Sequence, residues 1–214
     1  MRIVTGQELQ DWLEHGTVLE KDSRGPKVVL LQNGLILKIF RIRGQAWLAR
    51  INPPARRFCH NAAVLHGLDI PAPAILDALW LDQRAGLSAC LYDPLPGASL
   101  EKMLKNSPQG VPALLPDLAT FIVKLHHHGI YFRSLHLGNV LCLPDGHFGL
   151  IDFLDLKYKR RPLSNWERKR NLEHMRRYLQ RRKLLDFPIE QLIQCYSVAW
   201  GKLIASSNSK KRIF

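Results

Sequence analysis

Four residues in the second half of the chain carry oxygen and nitrogen groups at short, fixed intervals: Ser134, His136, Asn139 and Asp152. Ser134 precedes Asn139 by five residues, and Asn139 precedes Asp152 by thirteen. An asparagine amide oxygen and an aspartate carboxylate are hard donors of the kind magnesium takes. The stretch that joins them, NVLCLPDGHFGLID, reads as two short apolar runs around the turn signal Pro144-Asp145-Gly146, a hairpin that brings its ends together. Taken singly, the asparagine and the aspartate also fit turn or cap roles. Together they suit phosphoryl transfer, which needs neutralised phosphates, one or two magnesium ions and a group that orients or deprotonates the acceptor. The Ser134 hydroxyl can orient an acceptor but is no base near neutral pH. His136 titrates in an accessible range and can act as a base or hold the loop structurally. Asp155 can reach a metal or an acceptor, or stand as a solvent-exposed strand-end carboxylate. Lys38, in the apolar run LILKIF, can hold its ammonium over phosphates or lie exposed on an edge strand.

The surrounding pattern says what must position these groups. Thr5 with Glu8 fits a capping box, and Gly16 ends the helix it starts. Strand-like runs follow around Val18 and from Val28 to Leu31, then an Asn33-Gly34 turn leads into Leu35 to Phe40, so a small antiparallel sheet opens the fold. After Pro53, Phe58, Ala62 and Leu65 recur at helical spacing, with prolines before and after. Two further strand-like runs lead to PLPGASL, which breaks both periodicities and marks a hinge near Pro94 to Gly97. Leu118, Phe121, Ile122 and Leu125 form a helical stripe that Gly129 terminates, directly before Ser134. A helix with Leu172, Met175 and Leu179 on one face and a last helix from about Ile189 to Ile204 complete the chain. The expected organisation is an N-terminal lobe over 1–92, a hinge over 93–97, a helical lobe over 98–205 and a basic, mobile tail over 206–214.

The 214 residues are 46% apolar, enough to bury a core without staples. Cys59, Cys90, Cys142 and Cys195 are far apart and form no CxxC pair, so neither a disulfide framework nor a zinc site is signalled and a reducing cytoplasm is the simplest setting. The opening MRIVTGQELQDWLEHG lacks an apolar signal region, and no run approaches a membrane span. A net charge of +13 predicts attraction to polyanions. Much of it lies between Lys157 and Lys183, where twelve Lys and Arg face two acidic residues. Such a run is either a solvated helix face or a polyanion site. Trp166 and Tyr178 within it can stack on bases or sugars, or pack the helix onto the domain. The triplet His126 to His128 splays around a helix and does not make a metal site.

A helix ending in LHHHGI, then FRSLHLGNVL, then FGLIDF resembles the catalytic segment of the protein-kinase-like superfamily. The form LHxGN is similar to small bacterial kinases that phosphorylate aminoglycosides and lipopolysaccharide core. RGPKVVLLQNGLILKIFR, ARRFCHNAAVLHGLDIPAP and LYDPLPGASL further resemble the lipopolysaccharide-kinase-like proteins of Gram-negative bacteria often called toluene-tolerance proteins. The resemblance runs from about residue 17 to about residue 185. It implies an α+β, bilobal protein-kinase-like fold with a small antiparallel-sheet N-lobe and a mainly helical C-lobe, with ATP and Mg2+ as cofactors. It makes Lys38 the phosphate-contacting lysine, Asn139 and Asp152 the metal ligands, and Asp93 a neighbour of the adenine at the hinge.

The departures are specific. Ser134 stands at the catalytic aspartate position, and Leu154 replaces the glycine after Asp152 and Phe153. The helix after Pro53 offers Asn61 in place of a glutamate partner for Lys38. The phosphate-loop candidates Ser23 and Gly25 lie in KDSRGPK, which has one glycine where such loops carry three. Two outcomes are therefore open: a kinase acting on a lipopolysaccharide inner-core sugar from the cytoplasm, peripheral at the anionic inner membrane, or a pseudokinase regulating envelope assembly. A nucleic-acid-binding protein needs only the charge and leaves the ordered spacing unexplained.

Overall fold

A computed structural model describes residues 1–42 and 46–211, which divide into two compact units, Met1–Leu95 and Pro96–Phe214. The first unit is built on six strands: β1 (Arg2–Ile3), β2 (Thr17–Asp22), β3 (Gly25–Leu30), β4 (Ile36–Phe40), β5 (Ala74–Asp82) and β6 (Leu87–Asp93), in the order β1-β5-β6-β4-β3-β2. The sheet is antiparallel except at its edge, where β1 runs parallel to β5. Helix α1 (Gly6–His15) starts at Thr5, whose hydroxyl accepts from the Glu8 N–H. Only half of the capping box forms, because the Glu8 carboxylate pairs with Arg2 instead, 2.8 Å from Nη1.

The helix α2 (Ala46–Ile51) has no counterpart in the sequence pattern, whereas α3 (Pro54–His66) begins at the expected proline and buries Phe58, Ala62 and Leu65. Strand β4 lies between β3 and β6 and is buried along its whole length. Its pleat sends Leu37 and Ile39 into a core shared with Val29, Leu79 and Ala89, which Leu9, Trp12 and Leu13 of α1 cover. Phe40 faces the other way, onto Phe58 of α3 with ring centroids 5.4 Å apart. Lys38 has the same parity as Phe40, so it points toward α3.

The second unit is mainly helical, and the two units together give the expected α+β class. It contains the two-residue strand β7 (Ala98–Ser99), α4 (Leu100–Asn106), a single 3-10 turn (Pro108–Gly110), α5 (Val111–His127), β8 (Ile130–Phe132), β9 (Val140–Cys142), β10 (Phe148–Leu150), β11 (Leu156–Tyr158), α6 (Asn165–Arg182) and α7 (Ile189–Lys211). Gly129, in the left-handed region at φ 78°, ends α5 as the glycine signal predicts. α6 opens on a complete capping box between Ser164 and Glu167. The last helix runs on to Lys211 instead of stopping near Ile204. SSNSKK contains neither proline nor glycine to break it, so 206–211 is helical and 212–214 lie outside the described residues. Among the described residues no helix is long and apolar enough to cross a membrane.

His126 ties this unit together. Its Nε2–H donates to Asn171 Oδ1 at 3.0 Å, which leaves Nδ1 to accept from the Tyr196 hydroxyl at 2.8 Å, and Asn171 Nδ2 donates to the Phe132 carbonyl at 2.6 Å. Burial lowers its pKa to about 4, so the neutral ring links α5, α6 and α7 at physiological pH. His126 is therefore a satisfied core histidine, not part of a metal site.

Candidate active site

Two short ladders assemble the loop that holds Ser134. The first is β9 with β10, paired Val140 to Leu150 and Cys142 to Phe148. The Ile151 N–H donates to the Asn139 carbonyl at 3.0 Å, one step beyond the last pair, so Asn139 and Asp152 meet at the hairpin base. The second is β8 with β11, paired Leu156 to Phe132 and Tyr158 to Ile130. Continuing that register by one step sets Asp155 opposite Arg133 and next to Ser134. Between the ladders the chain reverses at Asp152, whose φ of 52° is left-handed. A non-glycine residue there costs roughly 1–2 kcal/mol, which the pairing on both sides must offset.

The result is a hydrogen-bonded pair. Ser134 Oγ donates to Asp155 Oδ2 at 2.9 Å, and Arg133 Nε lies 3.6 Å from the same oxygen. Asp155 is thus not the solvent-exposed strand-end carboxylate that its position suggests; three-quarters of its side chain is covered. Its Oδ1 is buried without a hydrogen-bond partner among the described residues. Asn139 is buried and donates Nδ2 to the Ser134 carbonyl at 3.1 Å, which turns its amide oxygen away from that bond and leaves it available as a donor atom. The Asp152 side chain is exposed. Asn139 and Asp152 therefore present one neutral and one anionic oxygen at the hairpin base, a donor set that fits a hard divalent cation.

His136 lies under the loop. Its ring stacks on Tyr178 of α6, with centroids 3.8 Å apart and planes 3° from parallel, and its Nδ1 is buried without a partner among the described residues. Burial lowers its pKa to about 4 against the opposing pull of the Asp152 and Glu101 carboxylates. A ring so weakly basic is neutral at pH 7 and holds the loop more effectively than it draws a proton from an alcohol.

Sequence reasoning missed the brace beneath His136. Glu101, at the start of α4, donates its N–H to the Leu137 carbonyl at 3.0 Å. Its buried carboxylate accepts from the Tyr178 hydroxyl, from Lys105 Nζ at 2.7 Å and from Arg182 Nη2 at 2.9 Å. Burial opposes the ionised form, but these three donors prevail and lower its pKa to about 2. A Cβ on Gly138 would stand 3.0 Å from the Tyr178 hydroxyl and 3.2 Å from Glu101 Oε2, so the glycine of LHLGN is required by close approach. Glu101 and Tyr178 are 77 residues apart, and neither carries a local signal.

The remaining candidates lie in the first unit. Lys38 is buried in an interior strand, which removes the exposed edge-strand reading, and its Nζ sits 5.5 Å from the centre of the Phe58 ring. Asn61, one turn beyond Phe58 on α3, is also buried. Ser23 and Arg24 form a two-residue turn between paired Asp22 and Gly25, so KDSRGPK is a tight hairpin and not an extended loop. Asp93 ends β6, exposed and paired with Ala74.

Several cations in the basic run have internal partners. Arg161 makes a two-pronged bond to Glu167 at 2.8 and 3.0 Å, Arg176 pairs with Glu190 at 2.8 Å, and Arg182 with Glu101 at 2.9 Å. The Arg168 guanidinium lies 3.8 Å from the Trp200 ring centre. Tyr178 packs against His136, whereas Trp166 stays exposed with Arg170 5.0 Å from its ring centre. Lys157, Lys169 and Lys183 point to solvent.

No curated protein matches the sequence. The model of the lipopolysaccharide kinase (Kdo/WaaP) family matches residues 87–196, a span that takes in β6, the Ser134 loop, both ladders and α6. That span is just over half of the chain, and the protein belongs to the lipopolysaccharide kinase (Kdo/WaaP) family.

Proposed function

We propose that the chain is an ATP- and magnesium-dependent phosphotransferase that phosphorylates a hydroxyl of a lipopolysaccharide inner-core sugar, with the Ser134–Asp155 pair doing the work of a single catalytic aspartate. The observation that carries this reading is the 2.9 Å bond from Ser134 Oγ to Asp155 Oδ2 beside the hairpin base. Magnesium-ATP, when bound, supplies the transferable phosphoryl group and neutralises its charge. Asn139 and Asp152 would hold the metal, and Lys38 would contact the phosphates, with residues 93–97 as the hinge.

On the acceptor side the chemistry belongs to the chain. Ser134 Oγ already donates its proton to Asp155, so its lone pairs are free to accept the proton of a sugar hydroxyl. As that hydroxyl bonds to phosphorus, its proton passes to Ser134 Oγ while the serine proton passes to Asp155 Oδ2. A loose transition state asks for orientation more than for strong base catalysis, so a relay with one intervening hydroxyl suffices. Arg133 keeps the carboxylate in place until the proton arrives. The exposed cations of α6 suit a phosphorylated, carboxylated acceptor at an anionic membrane surface.

Turnover of ATP with extracted lipopolysaccharide core tests the reading. Asp155→Asn should lower kcat by about 10²–10⁴ and leave nucleotide affinity unchanged. Asn139→Ala and Asp152→Ala should remove magnesium-dependent nucleotide binding. Tight nucleotide binding without turnover by the wild type would overturn the relay and favour a pseudokinase, for which the missing α3 glutamate speaks.

A further inference from the structure

Cys59 and Cys90 are 31 residues apart in sequence, and the fold brings their sulfurs to 3.5 Å. Cys59 lies on α3 and is half-buried; Cys90 lies on β6 and is fully buried. Neither belongs to the relay or to the metal-binding hairpin. Cys90 is the direct cross-strand partner of Lys38 in the β4–β6 ladder, and Cys59 follows Phe58, whose ring lies under the Lys38 ammonium. The two thiols therefore flank the buried lysine from the sheet and from the helix. α3 already rests on β6 one turn earlier, where the Ala55 N–H reaches Ser88 Oγ at 3.4 Å and Cys90 Sγ lies 3.4 Å from the Ala55 carbonyl.

We propose that Cys59 and Cys90 are a thiol–disulfide modification site that takes a small disulfide as oxidant and, once closed, clamps α3 to β6 beside Lys38. Their environments divide the work. Cys59 is the reachable sulfur, and its hydrogen bond with Cys90 holds its thiol below the usual value, whereas the same bond and burial push Cys90 up. Cys59, having lost its proton, attacks one sulfur of the small disulfide; a mixed disulfide forms and the first small thiolate leaves and is protonated. Cys90 Sγ then attacks Cys59 Sγ, expels the second small thiol and gives up its own proton. Two protein thiols are oxidised by two electrons, and one small disulfide is reduced to two thiols. Closure shortens the separation from 3.5 Å to about 2.05 Å, drawing α3 and β6 together by up to about 1.5 Å at the contact that supports Lys38.

Oxidised glutathione added to the native wild-type protein, followed by denaturation and alkylation of the remaining thiols, reads the modification directly. The expected product has Cys59 and Cys90 joined in one linked peptide pair, and Cys90→Ala accumulates glutathione on Cys59. Alkylation of both cysteines after oxidation, or a glutathione adduct that persists on Cys59 of the wild type, overturns the proposal. Affinity for an ATP analogue should fall severalfold in the oxidised form and recover with reductant. An unchanged affinity in the cross-linked protein overturns the clamp on Lys38. The clamp's effect on nucleotide rests on the reading of Lys38 given above, so absence of nucleotide binding in both redox states sinks that reading and leaves the cross-link standing on its own peptide evidence.

Discussion

Replacing Ser134 with aspartate separates two accounts of this site. If position 134 merely lacks its carboxylate, Ser134→Asp repairs the enzyme and turnover rises. If Asp155 already supplies that carboxylate, the substitution places a second negative charge where Ser134 Oγ now stands 2.9 Å from Asp155 Oδ2. At a charge separation of about 4 Å and an effective dielectric constant of about 20, the repulsion is about 4 kcal/mol. Arg133, at 3.6 Å and largely exposed, offsets part of it, leaving a net cost of about 2 kcal/mol. For a chain of this size that lowers Tm by roughly 4–8 °C. Turnover should fall together with Tm. The reciprocal double substitution, Ser134→Asp with Asp155→Ser, restores one carboxylate and one hydroxyl and should recover both. Differential scanning fluorimetry and a coupled ADP assay on the two single variants and the double variant measure the cycle. An unchanged Tm with higher turnover in Ser134→Asp alone would refute the reasoning.

Other outcomes follow from the same geometry. Stability should decline as pH falls from 6.5 toward about 4, because the unfolded chain binds protons on His126 and His136 before the folded chain does; urea unfolding should show a loss of about 3 kcal/mol from His126 and less from the partly exposed His136. A second loss lies between 4.5 and about 2, where the unfolded chain protonates Glu101 and Glu167 before the folded one does, and Glu101→Gln should shrink that phase and lower stability at neutral pH. Gly138→Ala should destabilise by about 1–3 kcal/mol, read by thermal unfolding, because the Tyr178 hydroxyl and Glu101 carboxylate that its Cβ meets are fixed by their own bonds. Binding to anionic vesicles should weaken with salt, and Lys169→Gln with Lys183→Gln should reduce it in sedimentation without changing nucleotide affinity.

What the sequence disclosed depended on how local the cause was. The β9–β10 hairpin and the meeting of Asn139 with Asp152 follow from a turn signal and two apolar runs within one short segment. The α3 helix is equally local, with its proline start and its buried Phe58, Ala62 and Leu65. Lys38 was harder, because LILKIF reads alike for an edge and an interior strand until its neighbours β3 and β6 are known. The β8 and β11 strands have three residues each, too few for alternation to show, and the Ser134–Asp155 bond depends on their register. Charge counting alone overstated how much of the basic run from Lys157 to Lys183 is free, since Arg161, Arg168, Arg176 and Arg182 have partners within the fold.

The brace formed by Glu101 and Tyr178 also imposes an order of assembly. The Ser134 loop is synthesised well before Tyr178 and Arg182, yet the ring that stacks on His136 and the donors that fix Glu101 come from those later residues. A nascent chain that has not yet produced α6 holds every candidate site residue and lacks what keeps the loop in shape. Competence is therefore acquired late in vectorial synthesis, and a chain shortened before α6 would carry the site's sequence without its geometry.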